Sequence, residues 1–88
     1  MKVIYLKSLE KDLKKIKDKK LLKQLETVFI NLEEKEILNQ ISNVMKMSGH
    51  KDFYRIRIGN YRLGIHYSEE TITIVRFVKR EDIYKLFP

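Results

Sequence analysis

Apolar and polar positions alternate through Tyr54–Ile58 and again through Tyr61–Tyr67, and Gly59-Asn60 separates the two runs. Alternating runs joined by such a pair predict a β-hairpin with a two-residue turn, whose central positions tend to need φ > 0. Closing the turn on Ile58 and Tyr61 sets the register. Arg57 then lies opposite Arg62, Ile56 opposite Leu63, Arg55 opposite Gly64, and Tyr54 opposite Ile65. Directly opposed residues share a face, and faces alternate along each strand. One face is therefore Tyr54, Ile56, Ile58, Tyr61, Leu63 and Ile65; the other carries Arg55, Arg57, Arg62, Gly64 and, opposite Phe53, His66.

The remaining pattern supplies the partners. Residues 2–6 alternate and read as a first strand. Ser8 is the expected N-cap of a short helix with Glu10 and Asp12 in its first turn and Leu9, Leu13 and Ile16 along one face. After a break near Asp18-Lys19, Leu21, Leu22, Leu25, Val28, Phe29 and Leu32 mark a second helix over about Lys20–Glu34, and the two form an αα-hairpin. Residues 36–43 carry no strong period and read as a loop before a short strand at 44–47. A last strand, Thr71–Val78, follows the acidic turn at 68–70. Arg76 falls on the arginine face if that loop has three residues and on the other if it has two. At the C-terminus, Ile83 and Phe87 at i, i+4 pin a short helical turn to the sheet edge and turn Tyr84 elsewhere.

Burying an aliphatic side chain is worth roughly 1.5 to 3 kcal/mol, so the apolar hairpin face must turn inward beneath the helices. The expected fold is a single α+β domain over residues 1–88. A small twisted, mainly antiparallel sheet, built from the N-terminal strand and the C-terminal meander, carries the αα-hairpin on one face and leaves the other open and basic.

Charge sharpens this picture. The formal net charge is +7, with nine lysines and no arginine in residues 1–30 and all five arginines between 55 and 80. Lysine is a hydrated point charge, whereas the guanidinium donates bidentate hydrogen bonds to phosphate. Such a division reads as a docking surface, with Lys11, Lys14, Lys15, Lys17, Lys19, Lys20 and Lys23 facing nucleic acid, joined to an arginine site. Arg57 opposite Arg62 is unfavourable by roughly 0.8 kcal/mol at 5 Å in water and about 3 kcal/mol at an effective dielectric of 20. An anionic ligand would explain that cost. Without cysteine, and with His50 and His66 far apart, no metal or other cofactor is expected. No apolar run approaches the roughly 18 residues of a membrane span, so a cytoplasmic protein without membrane contact is expected.

No Ser-His-Asp set, carboxylate pair or Gly-rich phosphate loop can be assembled from the remainder. An enzyme built on these residues stabilises charge more than it moves protons. RNA cleavage suits that limitation, because RNA brings its own nucleophile, the 2′-OH. No base-reading pocket is visible in the sequence, so alignment of the substrate is expected to come from elsewhere.

The run Phe53-Tyr-Arg-Ile-Arg-Ile-Gly-Asn-Tyr-Arg-Leu63, followed by Lys79-Arg-Glu-Asp-Ile-Tyr-Lys-Leu-Phe-Pro88, resembles the RelE/ParE superfamily of type II toxin-antitoxin toxins, most closely its RelE-like branch. The resemblance covers nearly the whole chain. It implies a RelE-like fold and a toxin that inhibits translation by cutting messenger RNA in the ribosomal A site, without a metal, leaving a 2′,3′-cyclic phosphate. By position it implies catalytic roles for Arg55 and Arg57, where the family has lysines, and for Arg62, Arg80 and Tyr84. Tyr84 lies two residues closer to its arginine than the tyrosine of the founding branch does. The implied partners are an acidic antitoxin, the ribosome and messenger RNA, with operator DNA reached only through the antitoxin complex. Two alternatives stay open: the ParE branch, which poisons DNA gyrase, and a non-catalytic RNA- or ribosome-binding module.

Overall fold

The computed structural model describes residues Met1–Pro88 and runs β1 (Lys2–Tyr5), α1 (Lys7–Lys14), α2 (Lys19–Glu34), a 3₁₀ turn (Leu38–Gln40), β2 (Val44–Lys46), β3 (Phe53–Ile58), β4 (Tyr61–Ser68), β5 (Thr71–Lys79) and α3 (Ile83–Leu86). The five strands form one sheet in the order β1-β5-β4-β3-β2, antiparallel except for β1 against β5. The β3–β4 register is the expected one, from Phe53 opposite His66 to Ile58 opposite Tyr61. At the turn only Gly59 has positive φ (58°), the pattern of a type II′ turn.

Leu9, Leu21, Leu25 and Leu32 from the helices pack with Ile56, Ile58, Leu63, Ile65, Ile72, Ile74 and Phe77 from the sheet. This is the core that the period-2 and period-3.6 patterns call for. Asp18 starts α2, its Oδ1 accepting from the Lys20 and Leu21 amides at 3.0 and 3.1 Å, which makes the break between the helices a defined cap. Residues 36–43 are more ordered than a plain loop: the 3₁₀ turn sends Leu38 into the core, 6% exposed. No helix is long and apolar enough to cross a membrane.

Ser8 is not the cap of α1. That helix begins at Lys7 behind Leu6, without a side-chain cap, and the Ser8 hydroxyl donates to the Val75 carbonyl at 2.6 Å. Asp12 likewise leaves the helix dipole for a distant strand. Its carboxylate takes two bonds from Arg76, Nε at 2.8 Å and Nη2 at 3.0 Å, and a third from the Phe77 amide at 2.9 Å. The reason lies in the sheet: β1 pairs with β5 only as far as Ile74. Beyond it β5 would expose unpaired backbone groups, which buried chains do not leave unmatched, and α1 supplies side chains in place of a strand.

The turn after β4 has two residues, Glu69 and Glu70, with Ser68 paired to Thr71. By alternation alone this turns Arg76 away from the arginine face. Val75 has no β4 partner, however, and the bulge brings Arg76 opposite Gly64, back into that face's register. Asp12 then draws its guanidinium to the sheet edge and raises its pKa by hydrogen bonding, against the effect of burial.

The face away from α1 and α2 is not wholly open. Ile83 and Phe87 pack across it with Met47 and Val78, flanked by Phe53 and Val75, as a second small core. The C-terminal turn therefore docks on the sheet face, where apolar side chains are available, and not at its edge.

Candidate functional site

Three hairpin arginines stand on this second face because the register puts them there. Arg62 is the centre and, unlike a side chain on an open face, is 7% exposed. Its Nη1 donates to the carbonyls of Gly59 at 3.1 Å and Tyr61 at 2.9 Å. Burial, followed by repulsion from Arg55, Arg80 and Arg57, lowers its pKa from the ordinary guanidinium value, and Tyr84 acts the other way. These five side chains thus share one electrostatic environment, although Arg80 follows β5 and Tyr84 belongs to α3.

The cations are not neutralised. The one ion pair within 4.0 Å in the chain is Arg76–Asp12, so Arg55, Arg57, Arg62 and Arg80 have no carboxylate at that range. Nε of both Arg55 and Arg62 is buried without an acceptor, an uncommon state for a buried donor. Arg55 Nη2 lies 2.8 Å from Met45 Sδ, a weak acceptor. Its Cζ is 5.6 Å from the ring centre of Tyr84, within cation–π range. Tyr84 itself is 64% exposed, free to meet a ligand over the cluster.

Gly64 allows the C-terminal turn to sit so close. A Cβ built there would stand 2.7 to 2.9 Å from three ring atoms of Phe87. Gly64→Ala should therefore displace the ring or the strand and destabilise the fold by about 1–3 kcal/mol. Thermal unfolding measures it, and a melt equal to the parent's would mean that Phe87 is not seated over Gly64. A glycine within an alternating strand is a sign of close approach, and that signal was present in the sequence.

The structure gathers Arg55, Arg57, Arg62, Arg80 and Tyr84 but not the lysines. Lys11, Lys14, Lys15, Lys17, Lys19, Lys20 and Lys23 are all exposed on α1, on α2 and between them, in the layer across the sheet from the arginines. His66 lies beside Phe53, with ring centres 4.9 Å apart, and Phe53 beside Phe87 at 5.5 Å, so its ring is engaged in packing. Sequence reasoning missed Asn43, whose Oδ1 accepts from Arg57 Nη2 at 3.3 Å.

Residues 3–84 match the sequence model of a family described as the ParE toxin of type II toxin-antitoxin system, parDE. The chain is 35% identical to Toxin RelE3 of Methanocaldococcus jannaschii in an alignment of 89 positions that covers the full length of both. It superposes on a chain of the RelB-RelE antitoxin-toxin complex from Methanococcus jannaschii with a TM-score of 0.82 and 32% identity, covering 97% of this chain and 99% of that one. A chain of the archaeal RelE-RelB complex from Pyrococcus horikoshii shares the fold at a TM-score of 0.70 and 23% identity, covering 93% and 97%.

Proposed function

The chain belongs to the ParE/RelE family of type II toxin-antitoxin toxins, and from that premise we propose that it is a metal-independent endoribonuclease that cuts messenger RNA on the ribosome and so inhibits translation. The observation that carries this reading is the cluster of four arginines without a carboxylate within 4.0 Å, two of them with buried, unmatched Nε donors. Guanidinium groups without a carboxylate partner suit the phosphorane of phosphodiester transfer, whose charge grows as the 2′-oxygen attacks. The P–O2′ bond forms and the P–O5′ bond breaks, leaving a 2′,3′-cyclic phosphate and a 5′-hydroxyl. Tyr84 is assigned the 2′-OH, whose proton passes through the phenol to solvent, while the 5′-oxygen takes a proton from water.

The exposed lysines of α1 and α2 are read as the grip on ribosomal RNA, which leaves the arginine face toward the message. The M. jannaschii relative was solved as a complex with the antitoxin RelB. Read across to this chain, its partner is an antitoxin whose acidic segment supplies the carboxylates that the arginines lack.

Mapping RNA ends after brief induction tests the reading. Cuts within A-site codons are expected. For the ParE-like alternative, a gyrase poison, a DNA-damage response without RNA cuts is the signature; growth inhibition with neither would indicate a non-catalytic ribosome binder. Within the nuclease reading, Tyr84→Phe should slow single-turnover cleavage at least about tenfold with substrate affinity nearly unchanged, because acid-base contributions are typically 10²- to 10⁴-fold. An unchanged rate would assign Tyr84 to stacking alone.

A further inference from the structure

Met45 belongs to neither core. It is 55% exposed, whereas Met47 is 2% exposed and packs with Val78, Ile83 and Phe87. The sheet explains the difference. Strand β2 is outermost and pairs Met45 with Arg55, so the methionine side chain projects from the sheet edge onto the arginine face. There its Sδ accepts from Arg55 Nη2 at 2.8 Å. A cluster of cations thus touches one soft, oxidisable atom to which the mechanism above gives no task.

Three features decide what this atom can do. The first is access, since an oxidant must reach the sulfur: Met45 stands in solvent and Met47 does not. The second is the weakness of the contact. Thioether sulfur is a poor acceptor, and Arg55 has little else, its Nε being buried without an acceptor and no carboxylate lying within 4.0 Å. The guanidinium is therefore open to any stronger acceptor that arrives. The third is coupling to the rest of the site. Arg55 Cζ lies 5.6 Å from the ring centre of Tyr84, and Arg55 is first among the cations that repel Arg62.

We propose that Met45 is an oxidation switch on the arginine site, thrown by a peroxide. The sulfur lone pair attacks one peroxide oxygen, the O–O bond breaks and an S–O bond forms. For hydrogen peroxide, the hydroxide that leaves takes the proton from the new S–OH group and departs as water. Sulfur is oxidised to the sulfoxide and the peroxide is reduced. The flexible side chain then turns a polar oxygen toward the donor that it already touches. The added atom does not fit inside the 2.8 Å contact, so Arg55 shifts as it changes partner and is held by the protein in place of phosphate. Reduction of the sulfoxide, by one enzyme for each epimer, resets the switch. This regulation rests on the RNA-cleaving reading.

The test treats the parent with hydrogen peroxide until peptide mapping by mass shows Met45 fully converted. Single-turnover cleavage on ribosomes is compared before and after. Oxidation should slow it roughly tenfold, short of the 10²- to 10³-fold loss when an oxyanion donor is removed outright, because Arg55 is diverted and not absent. Both methionine sulfoxide reductases together should restore the rate. Met45→Leu, with similar bulk and no sulfur, should keep its own rate through the same treatment. Met45→Gln, which carries a carbonyl oxygen, should be slow without peroxide. In parallel, the Arg55 Nε–H signal of the parent is followed by NMR, together with the affinity for an RNA fragment whose methylated 2′-oxygens prevent cutting. Oxidation should move the signal and weaken the affinity.

An Arg55 signal that stays in place, an unchanged rate in the fully oxidised parent, or an equal loss in Met45→Leu would each overturn the switch. A parent that cuts no RNA, but whose Arg55 signal moves and whose hold on the fragment weakens with oxidation, would remove the nuclease reading and keep the switch. Cutting that oxidation of Met45 does not slow would do the reverse.

Discussion

Arg62→Ala should slow ribosome-dependent cleavage by roughly 10²- to 10³-fold, the loss produced elsewhere when one donor aimed at a developing oxyanion is removed. Arg62 sits at the centre of the cluster, 7% exposed, with Arg55, Arg57 and Arg80 as its electrostatic neighbours. Its Nη1 is held by the turn carbonyls of Gly59 and Tyr61, which orients the planar fork. Two effects on stability oppose each other. Loss of the two turn bonds destabilises, each such bond from a charged group contributing about 1.5–3 kcal/mol net of hydration. Relief of repulsion against the directly opposed Arg57 offsets this by up to about 3 kcal/mol at an effective dielectric of 20. The two bonds together outweigh the relief by up to about 3 kcal/mol, so the variant should melt somewhat below the parent, and its rate is compared at a temperature where both are folded. Arg62→Lys, with the charge but without the fork, should recover only part of the rate. Cleavage by Arg62→Ala within about threefold of the parent would place the chemistry elsewhere on the molecule.

The largest loss of stability should come from Asp12→Ala, about 3 kcal/mol or more, because three donors lose one buried acceptor together. Removing one partner of a buried ion pair typically costs 3–5 kcal/mol, and the quarter exposure of Arg76 favours the lower end. The Phe77 amide, also buried, loses its partner in the same step. For a domain of this size the melting temperature should fall by at least about 12 °C. Asp12→Asn should lie between the two, since the amide oxygen can still accept from Phe77 while the ion pair is gone. Were Asp12→Ala to melt within a few degrees of the parent, the view that α1 completes the edge of β5 would have to be given up.

Register and face came from local rules. A period of two and a Gly-Asn turn act within a few residues, so Arg57 opposite Arg62 and the inward set from Tyr54 to Ile65 were legible before any fold was known, and Leu21, Leu25 and Leu32 on one side of α2 were legible for the same reason. The arginine cluster was legible in part because three of its five members, Arg55, Arg57 and Arg62, lie on strands whose phase that register determines.

Tertiary structure alone decided which polar groups share a buried environment. Asp12 looks like a helix-dipole residue until β5, 64 residues later, runs past the end of β1 and needs an acceptor. Arg76 depended on more than loop length, because the bulge at Val75 reversed the phase that the two-residue turn had set. The second face closed over Gly64 because Phe87 found Met47 and Val78 there, which no period of the C-terminal segment encodes. Periodicity reports which side of an element avoids water. The partner of a desolvated donor or acceptor depends on which elements meet, and that is settled only when the whole chain packs.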